Sequence, residues 1–281
     1  MSSFALKEMI LAGLLAGAPI ASAMSQQAAA PPDFSSNLAG WVGLNGGGPF
    51  YEPVPGVPGR LSPVVSDPAH PFTPNGVDKQ PTFRIADLSN PNLKPWVKAH
   101  MKKDIDEVLA GKKSAFTPQS SCVPAGVPFF MGYGGPDPLV FLQTPKEVWI
   151  VWREDNQARR IYIDVPHTAN PKPSWYGESV GHYEGDTLVV DTIGLNDKTV
   201  VDVYRTPHTE KLHVVERWRM VDSGKAMEVV FTVDDPDAFY EPWTGMRRYR
   251  RVEQEAYEKI CAENNTNLFD YHMPTAEKPD F

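Results

Sequence analysis

Cysteine is scarce: the 281 residues contain only Cys122 and Cys261. Neither sits in a Cys-x-x-Cys pair or a metal-ligand cluster, so a reactive thiol or a cysteine-bound metal is not indicated. A phosphate loop is missing as well, because the glycines at 46 to 48 are not followed by Lys and Ser or Thr. No dinucleotide fingerprint follows a strand, and no redox cofactor is expected. Asp234-Asp235-Pro236-Asp237 has the residue types of a calcium loop without its spacing and reads as a capped helical turn. Positive charge is in deficit, with 27 Lys and Arg against 35 Asp and Glu and a net charge of -8. That balance argues against general binding of nucleic acid or an anionic membrane. The basic run Arg247-Arg248-Tyr249-Arg250-Arg251 does not change this, since on a strand its arginines divide between two faces.

The apolar run near the N-terminus is short. Met9 to Ile20 is broken by Pro19 and falls below the roughly 20 residues of a membrane-spanning helix, so no permanent anchor is expected. Lys7 and Glu8 precede this run and the small triplet Ala21-Ser22-Ala23 follows it, the pattern of a cleaved secretory signal over residues 1–23. A second candidate cut lies at Ala28-Ala29-Ala30. A periplasmic or secreted location follows, where disulfides persist, and a Cys122–Cys261 bridge is the expectation. Closing so long a loop is worth roughly 4 to 5 kcal/mol in the chain-entropy model.

What is abundant is proline, then β-branched and aromatic residues. Nine prolines between Pro49 and Pro81 predict a long irregular arm. From Pro95 the apolar residues Trp96, Val97, Met101, Ile105, Val108 and Leu109 fall near helical spacing, predicting a helix that ends at Gly111. From Leu139 the period becomes that of strands, with runs at 140–142, 148–152 and 161–163. Gly185 marks a tight hairpin, Leu212 to Val221 alternates strictly, and further strands fall at 227–233 and 245–252. About eight strands with short connections predict a mostly β fold, an antiparallel meander closing into a lipocalin-like barrel or a sandwich. In this reading residues 24–120 are an arm and helix packed on the core, 121–265 the core with a closing helix from Glu253 to Asn264, and 266–281 an irregular tail.

Four features carry candidate chemistry. Gly177-Glu178-Ser179-Val180-Gly181 matches a nucleophile elbow, but a β-hairpin follows where that motif needs a helix. Two His-x-Glu steps, His182/Glu184 and His208/Glu210, place an imidazole beside a carboxylate on one strand face. Such pairs suit acid–base work or, less specifically, a mixed nitrogen and oxygen metal site; the plain alternative is solvated hairpin surface. The face carrying His213, Arg217 and Arg219 either points outward or lines the barrel opposite carboxylates such as Asp191 or Glu228.

Gly181-His182-Tyr183-Glu184-Gly185-Asp186-Thr187-Leu188-Val189-Val190-Asp191-Thr192, Pro207-His208-Thr209-Glu210, Val215-Glu216-Arg217, Asp235-Pro236 and Pro242-Trp243-Thr244 stand in this order along the chain. This string closely resembles a signature shared by a large group of exported bacterial proteins. The resemblance runs from about Cys122 to Asn265 and implies export and a common architecture; no activity comes with it. Tyr183 stands where that pattern has tryptophan.

The leading functional expectation is an extracytoplasmic, cofactor-independent enzyme, a lyase, isomerase or hydrolase, acting on a small, partly apolar molecule in a barrel pocket. His208 or His182 would be the acid–base residue, Glu210 or Glu184 would orient it, and Arg217 would steady a developing anion. Trp175, Tyr176, Asp191, His213, Trp218 and Arg219 would contact the ligand. The alternative is a lipocalin-like carrier of a small ligand without catalysis.

Overall fold

A computed structural model describes residues 30–35, 40–44, 51–54, 63–71, 84–110, 112, 122–132, 138–152 and 157–253. Nine strands close into one barrel in sequence order: β1 (Gly40–Gly43), β2 (Leu139–Gln143), β3 (Glu147–Trp152), β4 (Gln157–Ile163), β5 (Glu178–Glu184), β6 (Thr187–Ile193), β7 (His213–Val221), β8 (Ala226–Asp234) and β9 (Trp243–Val252). The expected mostly β, barrel architecture is what the chain forms. Two helices precede β2, α1 (Pro95–Leu109) and α2 (Phe129–Gly132). The helix expected from Pro95 to Gly111 is α1, and its buried Val97, Met101, Ile105 and Val108 form one stripe. Trp96 lies off that stripe and donates to the Asp237 carbonyl at 2.6 Å. The closing helix and the tail lie outside the described residues, as does Cys261. None of the described cysteines is a free thiol.

Two features differ from the expected meander. β1 comes from the glycine-rich arm, where four residues show no readable alternation, and it closes the barrel between β9 and β2. A side chain at Gly43 would meet the Arg247 guanidinium, which would have to shift to admit it. The second difference is β4 and β5, which pair in parallel while the other neighbours are antiparallel. Residues 164–177 therefore return along the barrel before β5 begins, forming a strap rather than a hairpin.

The barrel has a turn end, with the short β2–β3, β5–β6 and β7–β8 connections, and a loop end. Gly185 turns the β5–β6 hairpin at φ 62°. The long 194–212 connection, α1 and residues 235–242 gather at the loop end. There Leu93 bridges Phe239, and Arg205 pairs with Asp104 at 2.5 Å. Asp202 ties the 202–206 turn by accepting from the Tyr204 and Thr206 amides and the Thr206 hydroxyl. Burial pushes its carboxyl up to about 6. At the turn end Phe34 enters the barrel, 5.5 Å from the Phe141 ring centre. Gln143 holds it in place, accepting from the Phe34 and Ser35 amides and donating to the Pro32 carbonyl. The described parts of the proline-rich arm are tied down by bridges, Glu52 to Met246 and Ser66 to Ala86.

Side chains fill the interior. Inward positions of β4 alternate Gln157, Arg159, Ile161 and Ile163, all buried. Arg159 forms a two-pronged pair with Glu216 of β7 at 2.9 and 2.7 Å, both side chains 0% exposed. Its remaining donors reach Ser179 and Thr192, and Glu216 also accepts from the Trp218 indole at 2.8 Å. Trp218 stacks on Tyr249 and meets Phe141 edge-on, and Tyr51, Phe231 and Trp243 continue the aromatic packing. A pair this dry is tolerated only because every prong is bonded.

Arg159→Met leaves Glu216 charged and without its cation, which should cost about 3 to 5 kcal/mol in urea unfolding. Arg159→Met with Glu216→Gln should recover a large part of that loss, since the amide still accepts from Trp218. A single variant as stable as the parent would show that the pair is not closed to water.

Candidate functional site

The strict alternation of β7 sends Val214, Glu216 and Trp218 inward and His213, Val215, Arg217 and Arg219 outward. The outer face of β5, β6 and β7 then reads as rows set by register. Glu178 and Ile193 share the first row; Val180, Asp191 and Val215 the second; His182, Val189 and Arg217 the third; Glu184, Thr187 and Arg219 the fourth. Six of the residues singled out in the sequence thus share one sheet surface, outside the barrel rather than within it.

His182, Glu184 and Arg217 meet there, outside the barrel rather than in a pocket within it. His182 lies 3.1 Å from Glu184, and Glu184 accepts from Arg217 at 2.6 Å. Both bonds hold the Glu184 carboxyl below its ordinary range, that from Arg217 the more strongly. All three are well exposed, His182 at 53%. Arg219 instead joins Glu228, which also takes Arg248 from the other side, a cross-strand ladder.

The second His-x-Glu step does not form. His208 lies in the connection between β6 and β7 at the loop end, 3% exposed, with both ring nitrogens engaged. Nδ1 bonds the Thr209 carbonyl at 2.9 Å, and Nε2 bonds the Thr199 hydroxyl at 2.8 Å. A carbonyl only accepts, so the neutral ring carries its proton on Nδ1 and the hydroxyl donates to Nε2. Burial depresses the His208 pKa, which keeps the ring neutral. Glu210 is exposed and contributes no bond to it. Trp218 and Tyr176 are likewise packing residues: Trp218 is 0% exposed, and Tyr176 packs edge-on against Phe130. Trp175 is half-buried in the strap. Ser179, the serine of the G-x-S-x-G segment, is a buried strand residue bonded to Arg159 and Thr192, with a hairpin after it.

A second cluster joins Asp191 and His213 to His167 and Glu178, neither of which was a candidate in the sequence. His167, on the strap, lies 3.0 Å from Glu178 through Nδ1 and 3.0 Å from Asp191 through Nε2. Both partners are carboxylates, so the ring satisfies both bonds only with a proton on each nitrogen. His213 Nε2 approaches the same Asp191 oxygen at 2.9 Å. His167 lies in a proline-rich segment without periodicity, and only the strap brings it onto β5 and β6.

No family model, curated protein or solved structure matches the chain. The chemistry is therefore read from the geometry alone.

The Asp191 bond raises the His213 pKa against the opposing effect of burial. Asp191 is lowered in turn, first by His213, against burial, and then by His167. Burial works to raise Glu178, but the Thr168 amide and His167 outweigh it and leave the carboxyl lowered. The four groups bond to one another, and among the described residues no three His, Cys, Asp or Glu side chains are arranged to hold a metal ion. His213 is 39% exposed, and its Nδ1 has no partner among the described residues.

The linkage signs follow from these directions. A raised His213 contributes stability that is complete below its ordinary 6.5 and is lost as pH rises through its higher folded value. A lowered Asp191 contributes stability that is complete above its ordinary 3.8 and is lost as pH falls through its lower folded value. Thermal unfolding of His213→Gln should therefore show a shallower alkaline decline than the parent above pH 6.5. Identical slopes would mean that His213 is not coupled to folding through Asp191.

Proposed function

We propose that the protein is an exported enzyme that moves a proton on a small, partly apolar organic anion, with His213 as the acid–base residue. The carrying observation is the His213–Asp191 pair. With Asp191 bonded to Nε2, the neutral ring holds its proton there and turns the Nδ1 lone pair toward solvent. A carboxylate that orients an imidazole and raises its pKa toward neutrality makes it an effective base, then an acid. Asp191 is a positioning residue in this scheme, and His167 and Glu178 fix Asp191.

The rest of the face suits the substrate. Val180, Val189 and Val215 form an apolar floor between His213 and Arg217 in the register. His213 and Arg217 are four residues apart on one strand, about 13 Å by strand rise, a span that fits a small organic acid. Arg217 would bind the anionic end of the substrate remote from His213 and so orient it. Lyase, isomerase or hydrolase chemistry needs no redox partner. Export and the Cys122–Cys261 bridge belong to the same proposal. No helix among the described residues is long and apolar enough to cross a membrane.

A carrier without catalysis is the second reading, favoured by a separate groove of about 460 Å³ at the turn end. Screening the mature protein against a panel of hydroxy acids, enol esters and unsaturated acids separates the two. Turnover, once found, should fall by about 100-fold or more in His213→Ala. Asp191→Asn should lower kcat and shift the acidic limb of the pH profile downward, while His208→Phe should leave that limb in place. Turnover that survives His213→Ala would overturn the assignment.

A further inference from the structure

The groove at the turn end sits apart from the outer-face cluster. Its walls come from four separated stretches: residues 31–35, the β2–β3 turn, the end of β4 and the end of β5. Pro32, Pro145, Ile163 and the Tyr183 ring make it largely apolar, and its volume of about 460 Å³ falls within the usual range for small-ligand sites. It is a built feature. Gln143 clamps the Pro32–Ser35 backbone, and its amide also donates to the Tyr183 hydroxyl at 3.0 Å.

The charges in the described lining all have one sign. Asp33 and Asp164 are the ionisable acids, and among the described residues no Lys, Arg or His lines the groove. Asp33 uses Oδ1 for the Ser35 amide and hydroxyl. The Asp164 carboxylate has no partner among the described residues, and its backbone is held at φ 56° with its amide bonded to the Gly181 carbonyl. The Tyr183 hydroxyl accepts from Gln143, which leaves its proton available, and Tyr183 is part of the groove lining. Burial, and to a lesser extent the nearby Asp164 charge, raise the Tyr183 pKa and keep the phenol neutral.

We propose that this groove binds a small organic cation, an ammonium group on an apolar or aromatic body. The apolar body would lie on Ile163 and the prolines, with the cation between Asp33, Asp164 and the Tyr183 ring. Carboxylates and an aromatic face are the two partners such a group finds most favourable. Both candidate signal cuts leave Pro31 to Ser35 on the mature chain.

Isothermal titration of the mature protein with benzyltrimethylammonium chloride at low salt tests this, with benzyl alcohol and benzoate as neutral and anionic counterparts. Saturable binding of the cation is expected, with the alcohol and benzoate weaker by about tenfold or more. Asp33→Asn with Asp164→Asn should weaken the cation by a similar factor while the far-ultraviolet circular dichroism stays unchanged; asparagine at 33 still accepts from Ser35. Tyr183→Leu should weaken it independently. No saturable binding, equal binding of benzyl alcohol, or a double variant that binds like the parent would overturn the proposal. His213→Ala should leave this binding intact, so failure here and failure of the acid–base reading are separately visible.

Discussion

The buried pair between Arg159 and Glu216 sets the layout of the barrel. Both side chains are wholly enclosed, and their charges are tolerable only because Ser179, Thr192 and Trp218 complete the bonding. Because side chains alternate along a strand, committing Glu216 to the inside commits His213, Val215, Arg217 and Arg219 to the outside. A slip of one residue in β7 would place two arginines and a histidine in the core and leave Arg159 without its carboxylate. The pair therefore works as a register pin, and it occupies, with the aromatic rings around it, the space in which a lipocalin holds its ligand.

In the proposed function, chemistry is carried by the outer face and by what crosses it. The parallel pairing of β4 with β5 requires a return segment, and that strap carries His167 onto two outward carboxylates from β5 and β6. One connection accordingly does two things: it completes the topology, and it holds Asp191 in the position from which it orients His213. Rigidity at this point comes from neighbouring strands rather than from a loop, which suits a residue that has to present one nitrogen in a fixed direction.

Much of the architecture was legible because it rests on short-range patterns. The alternation over 212–221, the glycine at 185 and the proline-led helix at 95 each express a local rule, and each led to the right element. β1 was not legible, since four residues of a glycine-rich arm have no period to read and owe their conformation to β9. The inward arginine and glutamate were hidden for a different reason. A charged residue on a strand is ordinarily an outward one, and nothing in the local sequence of Arg159 shows that Glu216, 57 residues away, is its partner. Of the proposed site, Asp191, His213 and Arg217 were singled out in the sequence, whereas His208, expected beside Glu210 on a strand face, is buried in a long connection. His167 was missed because its role is created by the strap alone.

Nitrogen NMR of the imidazole rings in the mature protein, followed from about pH 5 to 9, addresses the transfer of function from His208 to His213 most directly. His213 should titrate above its ordinary 6.5 with the neutral proton on Nε2, and Asp191→Asn should lower that value. His208 should stay neutral across the range with its proton on Nδ1. A His208 ring that titrates near neutrality, beside a His213 ring that ignores Asp191, would contradict the placement of the acid–base centre on the outer face.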